Sequence, residues 1–131
     1  MNENHAELNV VVVDDSDFSR TLIIKMLRDA GFNVVGDAAN ATHALQIISD
    51  KKPHVVITDI VMPEISGIEL TENINKNFND VFVIVISSLS QEHVVLEAIG
   101  AGAADFLSKP INQQQLIDSM EKIMVQVKKN L

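Results

Sequence analysis

A chain of 131 residues with 47% hydrophobic content is long enough for one proper core and too apolar to stay disordered. Its net charge of −8 argues against a large phosphate-backbone footprint, hence against nucleic-acid binding, and favours attraction to basic patches on protein partners. Without cysteine it can form neither a disulfide nor a thiolate metal site; without an apolar run near ~20 residues, and with a polar MNENHAE start, membrane insertion and secretion are not expected and a cytoplasmic address is.

Five strand-like runs alternate with helical segments. The first, Leu8–Val13, ends in Asp14 and Asp15. From Phe18 to Ala30 the spacing predicts a helix with Phe18, Leu22, Met26 and Ala30 on one stripe, stopped by Gly31. A second strand is expected over Asn33–Ala38, then a helix capped by Asn40 or Thr42, apolar at Ala44, Leu45 and Ile48, and ended by Pro53. The third run, His54–Thr58, leads into Asp59, and Ser66 to Phe78 reads as a helix carrying Ile68, Leu70 and Ile74. Val81–Ile86 leads into Ser87 and Ser88, and Ser90 is the expected cap of a helix through Val94, Val95 and Ala98 to Gly100 or Gly102. Ala104–Leu107 leads into Lys109 and Pro110. A last helix, from near Asn112, repeats Leu116, Ile117, Met120, Ile123, Met124 and Val127 at a 3.6-residue period.

The first, third and fourth runs are Val/Ile-rich and barely alternate, as strands do when both faces of a parallel sheet are covered by helices. Strict βα alternation then gives a doubly wound α/β fold. Five units of about 25 residues consume the chain. A single domain over 1–131 is expected, with its core at about 8–128, a polar extension at 1–7, and Met1 and the polar ends suggesting a complete chain.

In an open parallel sheet, side chains just past the strands' carboxyl ends meet at one edge. That edge collects Asp14, Asp15, Asp59, Ser87, Ser88 and Lys109. Each has a bland reading: Asp14-Asp15-Ser16 as a helix cap, Asp59 as a turn residue near Pro63 and Gly67, the serines as loop hydroxyls, Lys109 as a surface lysine. Together they supply what one chemistry needs. Carboxylates packed at ~4 Å repel by roughly 4 kcal/mol per pair at an effective dielectric of 20, so the cluster should bind a cation or raise one carboxyl pKa. A divalent cation would align a phosphoryl group for attack by a carboxylate, with the ammonium and hydroxyl meeting its oxygens.

The segments VVVDDSDFSR, VVITDIVMPEISGIEL, VIVISS and AGAADFLSKP carry a resemblance to response-regulator receiver domains, spanning about Leu8 to Lys128 and closest to the single-domain chemotaxis type. The resemblance implies a flavodoxin-like (βα)5 fold, a five-stranded parallel sheet in order 2-1-3-4-5 with helices on both faces. It implies Asp59 as phosphoacceptor, Asp15 as metal ligand, Asp14 reaching the metal through water, and Val61 lending its backbone carbonyl. The implied ion is Mg²⁺, which Mn²⁺ can replace. Ser87 matches the switch hydroxyl, Phe106 the switch aromatic, Lys109 the phosphate-sensing lysine and Pro110 a proline often in a cis bond. The backbone of Ser88 and Val61 should contact the phosphoryl group. The implied donor is a sensor histidine kinase of the CheA-like kind. The implied output is protein binding through Val94, Val95, Ala98 and Phe106, with a flagellar motor switch as first target; packing on the sheet is the better reading for Val95. Independent substrate turnover is not expected.

This sequence departs from the family pattern in three places. Phe106 stands where motor-binding members carry tyrosine, and Val61 and Leu89 are apolar at two positions that are often polar, so slow loss of the phosphoryl group is expected. A phosphorelay intermediate, a phosphate sink and a receiver fragment of a larger regulator are the alternatives within the family. Outside it, Asp15-Ser16-Asp17-Phe18-Ser19 loosely mimics a haloacid-dehalogenase DxDxT motif, but the chain lacks room for a cap domain. A flavin carrier is disfavoured by the acidic first loop and the lack of Trp and Tyr. His5, His43, His54 and His93 show no ligand spacing and read as surface or core residues.

Overall fold

The computed structural model describes residues 3–129. Five strands, β1 (Asn9–Val13), β2 (Asn33–Ala38), β3 (Val55–Asp59), β4 (Phe82–Ser87) and β5 (Asp105–Ser108), alternate with five helices, α1 (Asp17–Asp29), α2 (Ala41–Lys51), α3 (Gly67–Asn77), α4 (Glu92–Gly100) and α5 (Gln113–Lys129). The strands form one sheet, every pair parallel, in the order β2-β1-β3-β4-β5. This is the (βα)5 arrangement expected.

Strand pleat divides the core in two. Val10 and Val12 of β1, with Val55, Ile57, Ile84 and Ile86, join Ile23 and Leu27 of α1 and Leu116, Met120 and Ile123 of α5. Val11 and Val13, with Val56, Val83 and Val85, join Ala44 and Ile48 of α2, Leu70 and Ile74 of α3 and Ala98 of α4. Successive residues point to opposite faces, so a Val/Ile run serves both layers. Each fully buried Val or Ile contributes about 1.5–3 kcal/mol.

Short polar caps start the helices. Ser16, Asn40 and Ser66 accept from the N–H groups of Ser19, His43 and Glu69 at 3.2, 2.9 and 3.2 Å. Gly31, at φ 94°, ends the α1 turn in a conformation that a Cβ would strain.

Three expectations are corrected. α4 begins one residue later than expected: Gln91, not Ser90, is its N-cap, and it makes no side-chain cap bond. Glutamine lacks the short side chain that reaches back to the first turn. The stripe Phe18, Leu22, Met26 and Ala30 meets the core only at its C-terminal end, where Met26 and Ala30 pack; Leu22 is exposed. Phe18 is 80% exposed, and the buried residues of the helix are Ile23 and Leu27. A four-residue step advances about 40° beyond a full turn, so a long i+4 series winds off one face. The described part of the polar extension expected at 1–7 packs against the fold through His5. Met1 and Asn2 lie outside the described residues, but Glu3–Glu7 form a 3₁₀ turn. Its His5 is buried, stacked on Phe32 with centroids 4.1 Å apart, and donates from Nδ1 to the Ala30 carbonyl at 2.6 Å.

Gly67 opens α3 directly against the end of β3. Its N–H donates to the Ile60 carbonyl at 2.8 Å, and a Cβ there would overlap the carbonyl of Asp59. Gly67→Ala is expected to cost about 3 kcal/mol in urea denaturation, because a main-chain carbonyl cannot rotate away as a side chain would; a loss under 1 kcal/mol would show that the β3–α3 junction is free to move.

Candidate functional site

Sheet register builds the site. Val13 pairs with Thr58, so the residues one step on, Asp14 and Asp59, lie side by side. Asp59 pairs with Ile86, and Ser87 pairs with Ser108, so Ser87 and Lys109 follow one step beyond. One carboxylate oxygen from each of Asp14, Asp15 and Asp59 falls within 4.8 Å of the others. Asp14 and Asp59 are buried and Asp15 is exposed. The Lys109 ammonium bridges the two buried acids, donating to Asp14 Oδ2 at 3.0 Å and Asp59 Oδ2 at 3.2 Å.

Each acid is also held by its own loop. Asp59 Oδ1 accepts from the Ile60 N–H at 2.8 Å, and Asp14 Oδ1 from the Ser16 N–H at 3.0 Å. Arg20 fastens the β1–α1 loop: Nη1 donates to the Asp14 carbonyl at 2.7 Å, Nε to Asp37 at 2.9 Å and Nη2 to Asp17 at 2.6 Å. The sequence reading gave no part in holding the acids to Arg20 or to Ser19, whose hydroxyl donates to Asp14 Oδ2 at 2.7 Å. The only signal was that both follow the acidic pair by one helical turn.

Burial pushes the Asp59 carboxyl above its ordinary value; the Lys109 charge opposes that shift and the Asp14 charge adds to it. For Lys109, burial favours the neutral amine, but the hydrogen bond to Asp14 and the charges of Asp59 and Asp14 outweigh it and raise its pKa. The donor set of three carboxylates at one edge suits a small hard cation.

The remaining site residues ring this centre. Ser87 is fully buried, and its Oγ accepts from the Leu89 N–H at 2.9 Å. Ser88 is exposed, as are Val61 (57%) and Leu89 (41%). The Lys109–Pro110 bond is cis. Pleat parity separates the groups: Asp59 shares the α1/α5 face with Val55 and Ile57, whereas Ser87 follows Val83 and Val85 on the face where Phe106 and Val94 pack. Phe106 and Val94 are half-buried there, and Val95 is half-buried but belongs to neither cluster; the exposed apolar residues of α4 are Leu96 and Ile99.

Residues 10–121 match the family model of the response regulator receiver domain. The chain belongs to the response regulator receiver family. Within it, the chain is 36% identical over 114 residues to the chemotaxis protein CheY of Thermotoga maritima, covering 87% of this chain and 95% of that one. It is 40% identical over 119 residues to a protein-glutamate methylesterase/protein-glutamine glutaminase of a Nocardioides species, covering 88% of this chain but 32% of that protein. Among solved structures, the CheX–CheY–BeF3–Mg complex of Borrelia burgdorferi contains a similar chain, with a TM-score of 0.85, 29% identity and 88% of each chain covered. Receiver domains are signalling modules that accept phosphoryl groups from kinases and bind downstream targets, and they take Mg²⁺ at an acidic pocket; this chain has an acidic cluster of Asp14, Asp15 and Asp59. No helix among the described residues is long and apolar enough to cross a membrane.

The raised Asp59 value sets a sign for stability. Asp59 holds its proton more tightly folded than unfolded, so its ionised form opposes folding at neutral pH, and that penalty fades as pH falls through the raised value towards the ordinary carboxyl range. Without metal, Asp59→Asn should raise the thermal midpoint at pH 7 by about 2–4 °C, with the advantage shrinking towards pH 4. A variant less stable than the parent at pH 7 would mean that the Lys109 contact outweighs burial.

Proposed function

We propose that this chain is a phosphorylation-activated response regulator in which Asp59 takes a phosphoryl group from a phosphohistidine on a sensor histidine kinase. The observation that carries this reading is Lys109 Nζ placed between Asp14 and Asp59 beside a three-carboxylate edge. An Asp59 carboxylate oxygen attacks phosphorus, the bond from phosphorus to the donor imidazole breaks, and an acyl phosphate remains. Asp14, Asp15, Asp59 and the backbone carbonyl of Val61 would hold Mg²⁺, or Mn²⁺ in its place. Such an ion neutralises phosphoryl charge and favours in-line transfer. Lys109 meets the phosphoryl oxygens, and the Ser87 hydroxyl and the Ser88 and Val61 N–H groups donate to them.

The output is a change of shape on the far pleat. A phosphoryl group adds about 1.5–2 negative charges. Drawing Ser87 towards it releases the Ser87–Leu89 bond and opens space for Phe106 to turn inward. Reversing a 1:99 equilibrium takes ~5.5 kcal/mol, which two or three charge-assisted hydrogen bonds of ~1.5–3 kcal/mol supply. The partner then reads the surface around Phe106, Val94 and α4. A chemotaxis role in the cytoplasm, with a CheA-like donor and a flagellar motor switch as target, fits the likeness to CheY proteins. Service as one receiver unit within a larger regulator is the second reading, favoured by the likeness to a third of a much longer methylesterase. We assign the whole of 1–131 to one receiver domain and expect no substrate turnover beyond slow self-dephosphorylation.

Incubation with acetyl phosphate and Mg²⁺ should add about 80 Da, the mass of one phosphoryl group, to Asp59. Asp59→Asn should abolish the gain, and intact-mass spectrometry with peptide mapping reads it. Label persisting on Asp15 in that variant would support the phosphohydrolase alternative instead. Val61 and Leu89 offer an attacking water no hydrogen bond, so V61N/L89E should shorten the phosphoryl lifetime about tenfold, within the range of positioned acid–base effects. An unchanged decay of the labelled species would reject a role for that apolar rim.

A further inference from the structure

The first turn of α1 is organised around Asp14. In a capping box, the third helical residue sends a long polar side chain back to the N-cap N–H. Here that residue is Ser19, three after the N-cap Ser16, and its side chain is too short to return. The Asp14 carboxylate stands in: Oδ1 accepts from the Ser16 N–H at 3.0 Å and Oδ2 from the Ser19 hydroxyl at 2.7 Å, while the Ser19 N–H donates to Ser16 Oγ at 3.2 Å. The same Oδ2 accepts from Lys109 Nζ at 3.0 Å.

Two donors on one oxygen matter because Asp14 is fully buried. A buried carboxylate that loses a donor is poorly compensated by water. On the receiver reading, on which this inference rests, Lys109 turns its ammonium to the phosphoryl oxygens. Its three protons and single charge are then shared with a stronger acceptor, and its hold on Asp14 weakens. We infer that Ser19 is a positioning residue for phosphoryl transfer: its hydroxyl keeps Asp14 Oδ2 satisfied and aimed while Lys109 passes from Asp14 to the phosphoryl group. Before transfer, losing Ser19 leaves Oδ2 with Lys109. After transfer, losing Ser19 leaves it only the weakened, shared contact with Lys109. The hydroxyl therefore matters more in the phosphorylated state than in the resting one.

Ser19→Ala, Ser19→Val and Ser19→Thr separate the hydroxyl from bulk, since Val and Thr match in shape and differ in the oxygen. Each full-length variant is titrated with beryllofluoride at saturating Mg²⁺, and separately with Mg²⁺ alone. Calorimetry or fluorine NMR reads binding, because the chain has no Trp or Tyr. The Ala and Val variants should bind beryllofluoride about tenfold more weakly, the loss of one hydrogen bond to a charged group. The Thr variant should stay within about twofold of wild type, and affinity for Mg²⁺ alone should change by less than about threefold in all of them. Val and Thr equally impaired, or all three binding beryllofluoride like wild type with only a lowered unfolding midpoint, overturns the positioning role. A Mg²⁺ loss as large as the beryllofluoride loss overturns the handover from Lys109. Wild-type protein that does not bind beryllofluoride removes the receiver reading itself, and this inference with it.

Discussion

Three carboxylates converge at one sheet edge, and the Lys109 ammonium is what makes their convergence tolerable in the folded chain. Its Nζ lies 3.0 and 3.2 Å from the two buried acids, and its own N–H donates to the Ser87 carbonyl at 2.9 Å. The end of β5 is thereby tied to the end of β4, and the ammonium is delivered to the ends of β1 and β3. One positive charge does not balance three negative ones. Burial is the main cause of the raised Asp59 value, and the Asp14 charge adds to it against the pull of Lys109. On the proposed reading, such a site gains by taking up a dication, and a phosphoryl group would then arrive where positive charge is already concentrated.

The sheet keeps this tension away from the core. Asp14 and Asp59 begin where the buried runs Val10–Val13 and Val55–Thr58 end, so the carboxylates sit on top of the packed layers and not within them. The same register puts the acidic groups and the α4 layer on opposite faces. Asp59 rises on the pleat shared with α1 and α5, while Ser87 and Phe106 stand on the pleat shared with α4, where Val85 of β4 pairs with Phe106 of β5. A change at Ser87 is therefore felt first by the α4 layer. That layer is also the loosest helical contact: α4 has no side-chain cap, a single fully buried residue, Ala98, and exposed Leu96 and Ile99. Moving elements come from the least stabilised part of a fold.

Much of this was legible in the sequence because it rests on periodicity. Doubly buried strands are continuous apolar runs, and all five were placed within a residue or so of their observed ends. The convergence of Asp14, Asp15, Asp59 and Lys109 followed from strand ends alone. The parts that were not legible depend on contacts between elements. Ser19 and Arg20 act through side chains reaching back to the preceding strand, and no spacing rule encodes that. His5 looked like part of a polar tail until Phe32, 27 positions on, supplied a ring to stack on and Ala30 an acceptor. The α1 stripe held only at Met26 and Ala30; its first half winds off the core face and has nothing above it. Phe18 and Leu22 have helical spacing, but they lie at the end of α1 that overhangs the sheet edge, beside Ser88, Lys109 and Pro110, where no layer is left to bury them.

Those exposed apolar residues bear on how the acidic edge meets a partner. Phe18 in the first turn of α1, Val61 in the β3–α3 loop and Leu89 in the β4–α4 loop are all exposed, and each lies a few residues past a strand end that carries the site. Against a chain of net charge −8, a partner's approach is guided by basic charge at long range, but charge alone would not fix register. Apolar contact at the rim would do so over short distances and would also exclude water from the acids as the two surfaces close, strengthening every electrostatic contact inside. The same side chains give a lone water nothing to hydrogen-bond once the partner leaves. On the proposed reading, a rim that is dry on contact and unhelpful to water afterwards would favour transfer into the site over loss from it, the asymmetry a long-lived signal requires.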